Sequence, residues 1–144
     1  MKMALRIACL ALFLASVFGC ASGPEFAEVR SAIPEIEAGK GRIYLYRPQR
    51  SFLYVGSVRI NGEEIRVPEA GGLLFVDREP GDYEIVVDSI TTEKAKIWLG
   101  PGEERYVRIT VTTEGHFLYT IYPKVEDKST ATQEMLDLNF INLQ

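Results

Sequence analysis

From Gly41 onward apolar side chains recur at alternate positions, and turn residues interrupt them about every 10 to 20 residues, the rhythm of short half-buried strands joined by tight turns. In G-R-I-Y-L-Y-R-P, residues 41–48, Ile43 and Leu45 fall on one face and Tyr44 and Tyr46 on the other. Pro48 has no N–H to donate and ends the ladder. The stretch S-V-R-I-N-G-E-E-I-R-V, residues 57–67, is the strongest local signal, because Asn61-Gly62 supplies the two φ > 0 residues of a type I′ hairpin turn. A two-residue loop pairs Ile60 with Glu63, Arg59 with Glu64 and Val58 with Ile65, which puts an ion pair on one face and an aliphatic pair on the other.

Residues 72–77 read as a strand, Pro80-Gly81 as a type II turn and 83–88 as the next strand. Residues 95–99 and 105–112 flank the loop 100–104 and read as a hairpin, and 117–122 closes the set after Glu114-Gly115. Seven to eight short strands joined mainly by hairpins predict an all-β fold, an antiparallel β-sandwich with a short C-terminal helix. Ser129 or Thr130 is the expected helix cap, with Met135, Leu136 and Leu138 supplying apolar contacts. Phe140, Ile141 and Leu143 either continue that helix or form a last extended segment on the sandwich edge.

The chain ahead of the strands has another character. Lys2 and Arg6 precede twelve uncharged residues, 7–18, and then Gly19-Cys20. A membrane-spanning helix needs about 20 apolar residues, so the run reads as the apolar middle of a secretory signal covering 1–19. Val17-Phe18-Gly19-Cys20 resembles the bacterial lipobox. That resemblance implies that Cys20 is acylated and becomes the mature N-terminus. Ordinary cleavage after Ala21 would instead release a soluble chain. Cys9 leaves with the signal, so Cys20 is the only remaining thiol and no internal disulfide can form. Ala21 and Ser22 lack the Asp that retains enteric lipoproteins at the inner membrane, a likeness that implies the periplasmic face of the outer membrane. Residues 20–40 are expected to be a lipidated cysteine and a tether reaching on the order of 25 Å. The spacing of Phe26, Val29 and Ile33 leaves two docked turns of helix as the alternative. Residues 41–144 then form one β-sandwich domain with its helix.

Without residues 1–19 the chain keeps 14 basic and 20 acidic side chains, a formal charge of −6. No basic stripe is present to follow a phosphate backbone, so nucleic acid is not an expected partner. Hydrolytic chemistry is poorly served too. His116 is the single histidine, G-x-S-x-G is absent, and Glu63-Glu64 and Glu103-Glu104 are strand neighbours that point to opposite faces. No catalytic residue, metal or cofactor is expected.

The opening motif at residues 39–48, the N-G hairpin, the E-P-G-D-Y turn at 79–83 and the late Y-P at 122–123 together resemble an uncharacterised family of small bacterial lipoproteins. The middle of the chain is similar to PEGA-type and transthyretin-like sandwiches. The resemblance implies fold and location, and no activity.

One patch stands out as a candidate surface. If 95–99 and 105–112 pair, Ile97 meets Val107 and Ala95 meets Ile109 toward the core. The outer face then carries Trp98 across from Tyr106 and Lys96 across from Arg108. Two opposed cations call for a compensating carboxylate, from Glu84 or Asp88, or for an anionic ligand. Lys96, Trp98, Tyr106 and Arg108 are therefore the candidate docking patch, with a solvated ion-pair ladder as the alternative. The expected function is a non-catalytic, lipid-anchored periplasmic binding or adaptor module of the cell envelope, held to the membrane by its lipid and docking on an envelope protein or glycan. A peptidoglycan- or polysaccharide-binding module is the runner-up, and a small hydrolase comes third.

Overall fold

Strand β1 (Gly41–Arg47) is buried at all seven positions, so a layer must cover each of its faces. The computed structural model, which describes residues 23–48, 55–89, 92–114 and 118–141, provides both layers. Around β1 are β2 (Ser57–Ile60), β3 (Glu63–Ile65), β4 (Gly72–Arg78), β5 (Gly81–Asp88), β6 (Glu93–Leu99), β7 (Glu104–Glu114), β8 (Leu118–Glu126) and β9 (Asn139–Phe140). Two helices, α1 (Phe26–Val29) and α2 (Lys128–Met135), flank them, and a 3-10 turn (Arg30–Ala32) follows α1. A five-stranded sheet runs β8-β7-β1-β4-β9 and a four-stranded sheet runs β3-β2-β5-β6. The chain is an all-β sandwich with a short C-terminal helix.

The period of two in β1 sorts its side chains into two cores. Ile43 and Leu45 face the sandwich interior with Leu74, Val107 and Ile109 from their own sheet and Val58, Ile85 and Leu99 from the other. Tyr44 and Tyr46 face outward, into a second cluster with Phe26, Met135, Leu138 and Phe140. At about 1.5–3 kcal/mol for each large apolar side chain, both faces of one strand contribute to holding three layers together.

Pairing follows the sequence at several points. The hairpin register is Val58 with Ile65, Arg59 with Glu64 and Ile60 with Glu63, and Asn61 and Gly62 have φ of 49° and 83°. Residues 139–140 take the extended alternative, beside β4.

Elsewhere the expectations need correcting. Among the described strands, β1–β7 and β4–β9 pair in parallel, so the sandwich is not purely antiparallel. The 95–99 and 105–112 segments do not form a hairpin: β6 pairs with β5, and β7 pairs with β1 and β8 in the other sheet. Ile97 and Val107 do share a core, but they reach it from opposite sides, and alternation alone cannot separate that arrangement from direct pairing. The crossing loop packs tightly, since a Cβ on Gly41 would lie 2.5 Å from the Gly100 carbonyl oxygen. Gly81 has φ 158°, far from the roughly +80° of a type II turn. Asp127 caps α2, its side chain accepting from the N–H groups of Ser129 and Thr130. A carboxylate one position ahead of the helix reaches both amides, and both hydroxyls donate to it as well. Residues 23–36, expected first as a tether, take the docked alternative, α1 and the 3-10 turn, with Phe26 buried and Val29 and Ile33 packed on the second cluster.

Two arginines of β1, Arg42 and Arg47, are buried in this arrangement. The Arg42 side chain is 3% exposed and meets Asp77 through two bonds, Nε to Oδ1 at 2.6 Å and a terminal nitrogen to Oδ2 at 2.8 Å. A further nitrogen donates to the Pro34 carbonyl at 2.8 Å, and the guanidinium lies 3.7 Å from the Phe75 ring centre. This pair fastens the arm to the sheet. Bonding to Arg42, with help from the Glu37 amide, holds the Asp77 carboxyl below the usual carboxylate range against the opposing effect of burial.

Gly62→Val should lower stability by about 1 kcal/mol or more, seen as a melting temperature reduced by about 4 °C. A Cβ there meets nothing within 4 Å, so the cost is conformational, and an unchanged melting temperature would contradict the turn assignment. Asp77→Asn should cost on the order of 3 kcal/mol at neutral pH, because it leaves a buried guanidinium without its counter-charge. A depressed folded-state pKa means the wild-type advantage is complete above the unfolded value near about 4 and is lost as pH falls below it. Urea unfolding at pH 7 and pH 3 should therefore show the gap between the two proteins narrowing in acid; an equal gap at both would rule this pair out as its source.

Candidate functional site

The outer face of the β3-β2-β5-β6 sheet carries the alternate residues that the core does not take. On β6 these are Lys94, Lys96 and Trp98, all exposed, and on β5 they include Asp82 and Glu84. The register sets Asp82 opposite Trp98 and Glu84 opposite Lys96. Trp98, the chain's single tryptophan, is 56% exposed. It forms one wall of an open hollow of about 590 Å³ lined also by Asn61, Asp82, Tyr83, Glu84 and Lys96.

The hollow has a fixed frame. Asn61 Oδ1 accepts from the Glu84 N–H at 2.8 Å and its Nδ2 donates to the Asp82 carbonyl at 3.1 Å, which locks the I′ turn onto β5. The Tyr83 hydroxyl donates to the Glu79 carbonyl at 2.6 Å. Behind Trp98, Arg105 Nε donates to its carbonyl at 2.6 Å, while Arg105 and the Gly100 N–H both donate to Glu103. The end of β6 is thereby tied to the crossing loop.

The charges on this face are unevenly spent. Glu84 pairs with Lys94 at 3.1 Å and Asp88 with Arg59 at 2.8 Å. Among the described residues, no ion pair or side-chain hydrogen bond engages the Asp82 carboxylate, the Lys96 ammonium or the Trp98 indole N–H. An exposed aromatic plate thus has one free acceptor and one free donor beside it.

The other two members of the expected patch lie elsewhere. Tyr106 is buried on the opposite sheet, its ring stacked on Tyr44 at 5.2 Å with 5° between planes. Its hydroxyl donates to Glu104 at 2.8 Å, and Lys128 donates to the same carboxylate. Burial, reinforced by the Glu104 acceptor, pushes the Tyr106 phenol well above its ordinary range. Burial also works to raise Glu104, but the bonds from Lys128 and Tyr106 outweigh it and hold the carboxyl low. Arg108 reaches Glu134 at 3.0 Å and Glu126 at 3.9 Å, tying α2 to β7. Lys96 and Trp98 therefore stay together, while Tyr106 and Arg108 belong to the seat of α2.

Asp82 and Asn61 are the site residues that alternation missed. The signal for them was charge: Asp82 and Glu84 on one strand complement Lys94 and Lys96 on the other, whereas the β6–β7 pairing sets Lys96 against Arg108. Beneath the arm a second hollow, of about 250 Å³, includes Arg30, Arg42, Tyr44, Glu104 and Lys128. Its central charges are largely matched, Arg42 by Asp77 and Glu104 by Lys128. Among the described residues no group of three His, Cys, Asp or Glu side chains is placed to hold a metal, and no helix is long and apolar enough to cross a membrane. Cys20 and His116 lie outside the described residues.

A family model, DUF2846, protein of unknown function, matches residues 37–120. That is more than half of the chain, and the chain belongs to this family. The match takes in the opening motif, the hairpin and both strands of the Trp98 face, and it stops ahead of α2. No curated protein matches the chain.

Proposed function

We propose that this member of the DUF2846 family is a non-catalytic, lipid-anchored module of the bacterial cell envelope, fixed by acylated Cys20 to the periplasmic face of the outer membrane and docking through the face around Trp98. The observation that carries the reading is the position of Gly23. Gly23 follows Cys20 after only Ala21 and Ser22, and a Cβ on it would lie 2.0 Å from the Phe140 carbonyl oxygen. Phe140 donates its N–H to the Pro24 carbonyl at 2.9 Å, and Glu25 bridges Asn139. The chain is thus held against the β9 edge from Gly23 onward.

Three peptide links span at most about 11 Å. An acyl group on Cys20 would hold the β9 edge close to the bilayer. Strand β9 lies beside Gly72 and Leu73 at one end of β4, whereas the end of β6 that carries Trp98 packs on Gly41, which pairs with Arg78 at the other end of β4. Six residues of strand amount to about 20 Å, so in this reading Trp98 lies at the end of the sandwich away from the anchor. Anchoring itself is strong, at about 0.8 kcal/mol per buried methylene with two chains sufficing for stable attachment.

Cys20→Ser should abolish incorporation of labelled palmitate and leave a precursor or an alternatively cleaved form, read by autoradiography of the immunoprecipitated chain. Palmitate labelling that persists in the Ser variant would overturn the anchor and the orientation derived from it.

A further inference from the structure

The hollow around Trp98 has a chemistry that narrows its occupant. A stable protein–protein interface needs an apolar centre surrounded by a polar rim, and its binding energy is concentrated in clustered anchors. On the described part of this face Trp98 is the single large apolar side chain that is exposed; Tyr119 and Val125 project from β8 in the other sheet. What accompanies Trp98 is polar: a carboxylate opposite it, Asp82, and an ammonium two residues before it, Lys96, both outside any ion pair among the described residues, with the hollow's other carboxylate, Glu84, across from Lys96 and paired with Lys94.

An anionic peptide would meet Asp82, and a cationic one would meet Lys96. A ligand rich in hydroxyl groups and carrying no strong net charge satisfies both, because hydroxyls donate to a carboxylate and accept from an ammonium. The face of a pyranose ring presents polarised C–H groups, which suit the negative quadrupole of an indole face. The hollow, at about 590 Å³, lies within the usual range for small-ligand sites, and its wall is set by the Asn61 bonds to β5.

We propose that Trp98, Asp82 and Lys96 form a sugar-binding platform for the glycan strands of the cell wall. The indole stacks on one pyranose ring, Asp82 accepts from its hydroxyls, and Lys96 donates to a hydroxyl or acetamido oxygen. The inference rests on the anchored reading above, since that reading turns this face toward the wall, but its chemistry is tested separately.

The probe is chitotetraose, the β-1,4-linked tetramer of N-acetylglucosamine, added to the purified acylated protein in detergent. Because the chain has one tryptophan, its fluorescence reports on the platform directly, and a saturable intensity change with protection from acrylamide quenching is expected. Saturation-transfer NMR from protein to sugar should give a signal for the wild type and none for Trp98→Ala. The double variant Asp82→Asn, Lys96→Gln should bind about tenfold more weakly with an unchanged circular dichroism spectrum. Absence of any response in the wild type, or equal transfer in Trp98→Ala, would overturn the platform. A crosslink from position 98 to an envelope protein with no response to the sugar would also overturn it while leaving the anchored module standing. Palmitate labelling is expected to be the same in all three proteins, so failure of the anchor and failure of the platform give different results.

Discussion

Burial of β1 on both faces is the constraint on which the other elements depend. A strand in an ordinary sandwich needs one partner sheet, and its outer face can meet water. Here the outer face carries Tyr44 and Tyr46, both buried, and their phenols would be costly to cover without partners. The Tyr46 hydroxyl donates to Glu134 on α2. The Tyr44 ring stacks on Tyr106 and meets Phe26 and Phe75 edge-on. The arm and α2 are thus the third layer that β1 demands, and the parallel β1–β7 pairing brings the two stacked rings side by side.

Much of this was legible in the sequence, for a physical reason. Alternation assigns Ile43 and Leu45 to one core and Tyr44 and Tyr46 to the other with no knowledge of what covers them, because the pleat alone decides the face. The Asn61-Gly62 register followed from turn geometry, which is local. What did not follow was which strands are neighbours. The strands β6 and β7 sit next to each other in sequence with a four-residue loop between them, and a hairpin is the usual outcome for such a pair. The side chains that decide otherwise lie further away, in the two sheets whose inner faces both strands supply.

The electrostatic conflict in the hairpin reading was the informative clue. Setting Lys96 against Arg108 costs energy in any sheet, and no local change removes that cost. Pairing β6 with β5 removes it, setting Glu84 opposite Lys96 and in an ion pair with Lys94, and leaves Arg108 to bind Glu134. A like-charge clash in a proposed register is therefore evidence against the register before it is evidence for a ligand.

That principle also sharpens the reading of the Trp98 face. Ion pairs occur elsewhere on the described surface, Arg59 with Asp88, Arg78 with Glu63, Arg105 with Glu103 and Lys128 with Glu104. Surface pairs of this kind contribute little to stability, and charges outside any pair, Glu28, Arg66, Glu79 and Glu93 among them, are common on it. What marks this face is the exposed tryptophan on an edge strand beside such charges. An exposed aromatic on an edge invites unwanted association, and flanking charges limit that risk. Asp82 and Lys96 serve that end whether or not a ligand is bound, and they do so without neutralising each other. Two opposite charges beside an indole, outside any closed ion pair, retain their hydrogen-bonding capacity, which such a pair would have used up.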